Sequence, residues 1–213
     1  MASRPKQAEP RPAPRLYLIT PPVTDADRLA AELGTALEAA DVAAVLLRLG
    51  GDDERTQVNH IKALAPAVQD KGVAFLLDGH PDLVARGGAD GAHLAGIDAF
   101  SAALEQLKPE RIAGVGDLTT RHDAMLAAET GADYILFGDP DVPFAATQER
   151  VAWASELFEL PCAAFANAAD EITPLVASGA DFIALDFVWR DPRGVVAAVA
   201  DIGQHLRLPE TVP

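Results

Sequence analysis

The 213-residue chain has one cysteine, four lysines and an excess of acid over base. Cys162 has no partner for an intramolecular disulfide, and its setting in LPCAAFA reads as an inert buried thiol. No stretch approaches the roughly 18 apolar residues of a membrane span. The opening MASRPKQAEPRPAP is basic and proline-rich with no apolar core, so it does not read as a secretory signal. The organisation expected is a disordered tail over 1–14, one domain over 15–207 and a short tail over 208–213, in the cytoplasm. Positive charge is scarce, with 17 Lys plus Arg against 32 Asp plus Glu and a net charge of -15. Binding a polyanion depends on Lys and Arg displacing counterions, which argues against nucleic acid, and the same charge argues against anionic membrane surfaces. A small ligand or a divalent cation stays open.

Several chemistries lack their residues. The lysines, Lys6, Lys62, Lys71 and Lys108, fall in the tail or in helical stretches, so no Schiff-base lysine is available inside a strand-built site. TPPVTD follows the first strand where a glycine-rich dinucleotide loop would stand, and neither HExxH nor a serine-nucleophile motif occurs.

What is present is a rhythm. Short apolar runs occur at 15–20, 42–49, 73–78, 91–96, 111–117, 134–139, 162–167 and 182–187, each followed by an amphipathic stretch. Near-continuous apolarity is how parallel strands buried on both faces read. The helix after the first strand carries Leu29, Leu33 and Leu37, and FAATQERVAWASELF places Val151, Ala154, Leu157 and Phe158 on one face. Pro66 is expected to kink or restart the helix of 53–72. Eight βα units predict an α/β fold, a single (β/α)8 TIM barrel, with a doubly wound open sheet as the alternative. A weak repeat supports closure. Ala39-Ala40-Asp41, Gly88-Ala89-Asp90, Gly131-Ala132-Asp133 and Gly179-Ala180-Asp181 precede the even-numbered strands, at the barrel's N-terminal end, where a structural role is expected.

Function in such a barrel belongs at the C-terminal strand ends. Those ends carry Thr20, Arg48, Asp78 with His80, His93, Asp98, Asp117, Asp139 with Asp141, Asn167, and Asp186 with Trp189 and Arg190. Carboxylates dominate and favour Mg2+, which takes one or two of them plus water and substrate oxygens, with Asp78 and Asp98 on adjacent strands as the best pair. The plain alternative is helix capping by Asp78, Asp117 and Asp139. Asn167 is positioned to cap the seventh helix. His93 lies inside a strand run and is either a hydrogen-bonded core residue or a substrate contact. Arg48 ends an apolar run, so it is expected to turn into a polar mouth and meet an acid or an anion. Trp189 is placed to wall a pocket, and His122 to lie on the surface.

LYLIT at the first strand, LLR at the second, DLVARGGADGAHLAG across the third and fourth, ETGADYILFGDP at the sixth and SGADFIAL at the eighth resemble, in order, the thiamine-phosphate synthase and thiazole tautomerase family. The resemblance covers most of the chain after residue 14. It implies a barrel in which Mg2+ holds hydroxymethylpyrimidine diphosphate, diphosphate leaves, and the nitrogen of a thiazole phosphate captures the cation. Arg48, His93 and Asp98 match the family's arginine, histidine and second metal aspartate. Asp78 stands one position before Gly79, which takes the place of the first metal aspartate, and His80 replaces an arginine. Other positions depart. Leu46 and Gly50 replace a Gln and a Lys, Gly116 or Asp117 a serine, Ala166-Asn167 the Gly-Gly phosphate loop, and Asp186-Phe187 a Val-Ser pair, while DPDVPFAATQER has no lysine. The candidate site is thus Asp78 and Asp98 for metal, Arg48, His80, His93, Asn167 and Asp186 for substrate, and Asp117 as a base. The expected function is thiamine-phosphate synthesis. A catalytically silent relative binding a small, cationic ligand or regulating thiamine supply is the second expectation, and a thiazole tautomerase using Asp117 the third. The partner in each case is a small molecule, and a homo-oligomer is compatible with all three.

Overall fold

The computed structural model describes residues 12–51 and 53–206. The tails expected at either end lie largely outside them. Eight parallel strands run in sequence order, and the eighth pairs with the first, so the sheet closes into a barrel and the open-sheet alternative falls away. The strands are β1 (Arg15–Ile19), β2 (Val42–Leu47), β3 (Ala74–Asp78), β4 (Gly91–Ala95), β5 (Ile112–Gly116), β6 (Tyr134–Phe137), β7 (Cys162–Phe165) and β8 (Phe182–Leu185). The helices between and after them are α1 (Ala26–Ala39), α2 (Glu54–Gln69), α3 (Pro81–Gly87), α4 (Ile97–Leu107), α5 (Arg121–Thr130), α6 (Phe144–Leu157), α7 (Ile172–Ala177) and α8 (Val195–His205). Short 3-10 turns, Ala169–Glu171 and Phe187–Arg190, precede α7 and α8.

Period-two alternation explains why the strand sequences are apolar throughout. One set of residues, among them Leu16, Leu18, Val45, Leu47, Phe75, Leu77, Val115 and Ile135, packs outward against the helices. The intervening set, Tyr17, Ile19, Ala44, Leu46, Leu76, Tyr134, Leu136, Ala163, Phe165 and Ala184, forms a separate cluster inside the barrel. Both faces are buried, so neither can be polar.

The aspartate repeat is structural. Asp90, Asp133 and Asp181 each follow a helix and accept the backbone N–H of Phe75, Ala113 and Cys162 at 2.7, 2.7 and 2.8 Å. Each aspartate therefore ties the start of an odd strand to the start of the next even strand. Gly88 and Gly131, the C-caps of α3 and α5, have φ of 84° and 101°, where a side chain is strained. Asp41 differs: its carboxylate pairs with the Arg15 guanidinium at 2.8 Å.

Three local expectations are corrected. Pro66 does not restart α2, which runs unbroken from Glu54 to Gln69. Only the N–H of Pro66 itself is missing, and the apolar face of Val58, Ile61, Leu64, Ala65 and Val68 holds the helix on the sheet. Leu157 ends α6 on the solvent side, 55% exposed, while Val151 and Ala154 are buried. Asp78, Asp117 and Asp139 cap nothing. The N-caps of α3, α5 and α6 are His80, Thr120 and Pro143, and α5 carries a capping box between Thr120 and Asp123.

Candidate functional site

The inward set of strand residues continues two positions beyond the apolar cluster and turns polar at the C-terminal ends. Arg48 follows Leu46, Asp78 follows Leu76, and Asp186 follows Ala184; His93 lies opposite Asp78 in the β3–β4 register. A cavity of about 130 Å³ opens there, with Arg48, Asp78, His93, Asp117 and Asp139 on its walls and Ile19, Leu46, Leu136 and Phe165 beneath. It is the size of one small ring, so a larger ligand would extend over the open mouth.

Arg48 meets acids, as expected. Its Nε lies 3.5 Å from Asp78 Oδ2, and its Nη1 donates to Asp186 Oδ2 at 3.1 Å. Thr20, fully buried, accepts the Arg48 backbone N–H at 3.1 Å and so places the guanidinium's stem. Asp186 is clamped from its other side by Arg190 at 3.1 Å. Burial raises the Asp78 carboxyl pKa, with Arg48 and then His80 pulling the other way.

His93 is a hydrogen-bonded core residue that also lines the cavity. It is 7% exposed, and its Nδ1 is 3.0 Å from the Tyr134 hydroxyl. That hydroxyl is 2.6 Å from the hydroxyl of Tyr17. Burial pushes the His93 pKa down to about 4, so the ring is neutral at ordinary pH. Its ring stacks on Tyr134 at 5.6 Å between centroids. Burial also raises the pKa of both tyrosines, which stay protonated. Two glycines of β5 make room: a Cβ on Gly114 would lie 2.1 Å from the Tyr134 ring, and one on Gly116 would lie 2.7 Å from His93 Nε2. Sequence reasoning missed the tyrosines, which lie unremarked inside the apolar runs of 15–20 and 134–139. The available signal was that a buried phenol needs a partner and each stands at an inward strand position.

The other expected residues lie around the rim. Asp117 is exposed, with φ of 50°, and Asp139 accepts the Asp141 backbone N–H at 2.7 Å. His80 is exposed in the left-handed region beside Asp78. Asp98 is exposed in the first turn of α4 and does not line the cavity. The Asn167 side chain does not cap the following turn, whose N-cap is Ala168; its backbone N–H instead donates to Glu171 Oε2 at 2.7 Å. An acid of the chain thus occupies an amide at the β7 end, a contact sequence reasoning missed. Trp189 lies at the β1 end, donating its indole N–H to the Ile19 carbonyl at 2.7 Å and walling a shallow hollow with Pro21, Pro22 and Arg28. His122 is exposed, as expected.

Among the described residues no three His, Cys, Asp or Glu side chains converge into a metal cage. The oxygen donors at the mouth nevertheless suit Mg2+, which needs only one or two carboxylates when water and phosphate complete its shell. No helix among the described residues is long and apolar enough to cross a membrane.

These features define a closed (β/α)8 barrel with its polar residues gathered at the C-terminal mouth, the arrangement of a barrel enzyme. The chain belongs to the thiamine monophosphate synthase family, whose model matches residues 16–186, from β1 to the end of β8. It is 41% identical over 202 residues to the thiamine-phosphate synthase of Rhodospirillum centenum, covering 91% of this chain and 98% of that protein. It is 37% identical to that of Hyphomonas neptunium, covering 90% and 93%. Among solved structures, thiamine phosphate pyrophosphorylase from Pyrococcus furiosus superposes with a TM-score of 0.73 at 22% identity, covering 91% of this chain and 97% of that one, which speaks for the fold.

Proposed function

We propose that this protein is a thiamine-phosphate synthase of the cytoplasm. It would join hydroxymethylpyrimidine diphosphate to thiazole phosphate and release diphosphate. The observation that carries the reading is the 41% identity to a synthase along nearly the whole length of both chains. The relatives do not favour the silent-binder and tautomerase readings.

The geometry is consistent with the reaction. The apolar floor of Ile19, Leu46, Leu136 and Phe165 suits a flat ring, and neutral His93 offers that ring one hydrogen bond. When diphosphate departs, positive charge develops on the pyrimidine fragment. Asp78, Asp117 and Asp139 stand around the cavity where they would stabilise it. Asp78, on the cavity wall, would supply a carboxylate to Mg2+, which supplies the positive charge that the leaving diphosphate needs. Arg48 neutralises Asp78 and Asp186 and holds them apart, so the mouth is not a bare cluster of like charges.

The test uses the purified full chain with both substrates and Mg2+, following diphosphate release and thiamine phosphate formation together. Both should appear with equal stoichiometry. No diphosphate above the enzyme-free blank overturns the reading.

A further inference from the structure

We infer that Tyr134, with Tyr17 behind it in a buried chain, is a positioning residue that locks His93 with its proton on Nε2, so that His93 meets its ligand as a hydrogen-bond donor. The argument is a count of protons along a buried chain. Tyr17 and Tyr134 share a hydrogen bond at 2.6 Å, and Tyr134 and His93 Nδ1 share another at 3.0 Å. Tyr17 and Tyr134 are 2% and 7% exposed. Among the described residues, the Tyr17 hydroxyl has no other partner and Tyr134 has none beyond these two.

The chain can run in two directions. In one, Tyr17 donates to Tyr134, Tyr134 donates to His93 Nδ1, and every proton has an acceptor. The imidazole proton is then on Nε2. In the other, His93 donates from Nδ1 to Tyr134, and either the Tyr17 or the Tyr134 proton is left with no acceptor among the described residues. A buried hydroxyl proton with no acceptor shifts the balance by on the order of tenfold or more against that direction. The first direction leaves only spare lone pairs on Tyr17, which cost less than an unmet donor.

The locked edge faces the cavity. His93 lines it beside Asp78 and Asp117, with Nε2 against Gly116, and Nε2 has no partner among the described residues. A ligand group opposite it must accept a hydrogen bond: an aromatic ring nitrogen, a carbonyl or an anionic oxygen. A ligand placing an N–H or ammonium there would set two donors against each other. That step rests on the synthase reading only for which ligand is used in the kinetic arm below.

The decisive measurement is the tautomer of His93 in the full chain at neutral pH, read from two-bond 15N–1H correlations of 15N-histidine-labelled protein. A proton on Nε2 is expected, and a proton on Nδ1 overturns the proposal. Tyr17→Phe should keep the Nε2 proton, because Tyr134 can still donate to Nδ1. Tyr134→Phe should release it into a mixture of tautomers; an unchanged Nε2 proton in a folded Tyr134→Phe variant also overturns the lock. If that variant does not fold, the unaltered chain and Tyr17→Phe decide the matter. In the synthase assay, Tyr134→Phe should raise KM for the pyrimidine diphosphate by about tenfold while Tyr17→Phe stays within about twofold. Equal effects would mark a merely structural role and count against it. If the unaltered chain releases no diphosphate, the synthase reading fails, while the nitrogen assignment is still decided by the spectrum.

Discussion

Replacing Asp90 by alanine tests how the barrel is held. The Asp90 carboxylate accepts the Phe75 N–H at 2.7 Å and the Gln69 side-chain amide at 2.9 Å. Phe75 is fully buried, so Asp90→Ala strips a buried amide of its charged acceptor, while the Gln69 amide keeps its bond to the Gly88 carbonyl at 3.0 Å. A hydrogen bond to a charged group contributes about 1.5–3 kcal/mol, and the orphaned donor places the cost at the upper end, about 2–3 kcal/mol. For a chain of this size that lowers Tm by about 4–12 °C. Asp41 is the control. It occupies the same place in the repeat, but its carboxylate pairs with Arg15 at 42% and 74% side-chain exposure. Such a pair contributes about 1 kcal/mol or less, so Asp41→Ala should lower Tm by about 3 °C or less. Asp90→Asn, which keeps one acceptor oxygen for Phe75, should recover roughly half the loss. Thermal and urea unfolding followed by circular dichroism reads all three. The reasoning is refuted if Asp41→Ala costs as much as Asp90→Ala, or if Asp90→Asn is no better than alanine.

Acid stability should depend on His93. Its pKa falls from 6.5 unfolded to about 4 folded, so the unfolded chain binds the proton first and the contribution is full above the unfolded value. It is lost as pH falls from there through about 4, amounting to about 2 kcal/mol between about pH 7 and about pH 5. Urea midpoints of the unaltered chain and His93→Gln across that window should converge as pH drops; parallel curves would contradict the assignment. Arg48→Met leaves Asp78 without its cation, so the Asp78 pKa should rise further by carboxyl 13C titration, and kcat/KM should fall by at least about tenfold. An unchanged Asp78 titration would show that the 3.5 Å pair does not persist in solution. Cys162 is 3% exposed, so a thiol reagent should label it only after denaturant is added. Rapid labelling of the folded chain would refute its burial.

The aspartate repeat and the residues that form the site are different sets. Asp90, Asp133 and Asp181 of the repeat fasten strand starts at the N-terminal end, far along each strand from the mouth. They report the barrel. Of the residues that face the cavity, Arg48 was legible because a guanidinium at the end of VLL has to find an acid. Its partners were named too, but separately, as a metal ligand and as a substrate contact. Asp78 and Asp186 are 108 positions apart in the chain, and nothing local says that one arginine holds both. The capping assignment failed for a comparable reason. Asp78, Asp117 and Asp139 stand near helix starts, but the turn that enters α5 continues to Thr120, whose box with Asp123 was itself readable as Thr-x-x-Asp. Pro66 does not restart the helix, since an apolar face packed along the whole of α2 outweighs the one missing N–H.

The sequence alone determined the eight-unit alternation, because strands buried on both faces must be apolar at every position and the intervening helices must carry one apolar stripe. It also determined the acidic strand ends and the scarcity of cations there, since these are matters of residue type. Only the tertiary structure decided which groups meet. Closing β8 on β1 brings Asp186 to Arg48, and curving the sheet brings Tyr17 of β1 across the barrel to Tyr134 of β6 and on to His93 of β4. The physical reason is that hydrogen bonds and ion pairs act over a few ångströms. The chain sets which residues are available, and barrel closure sets the distances between them.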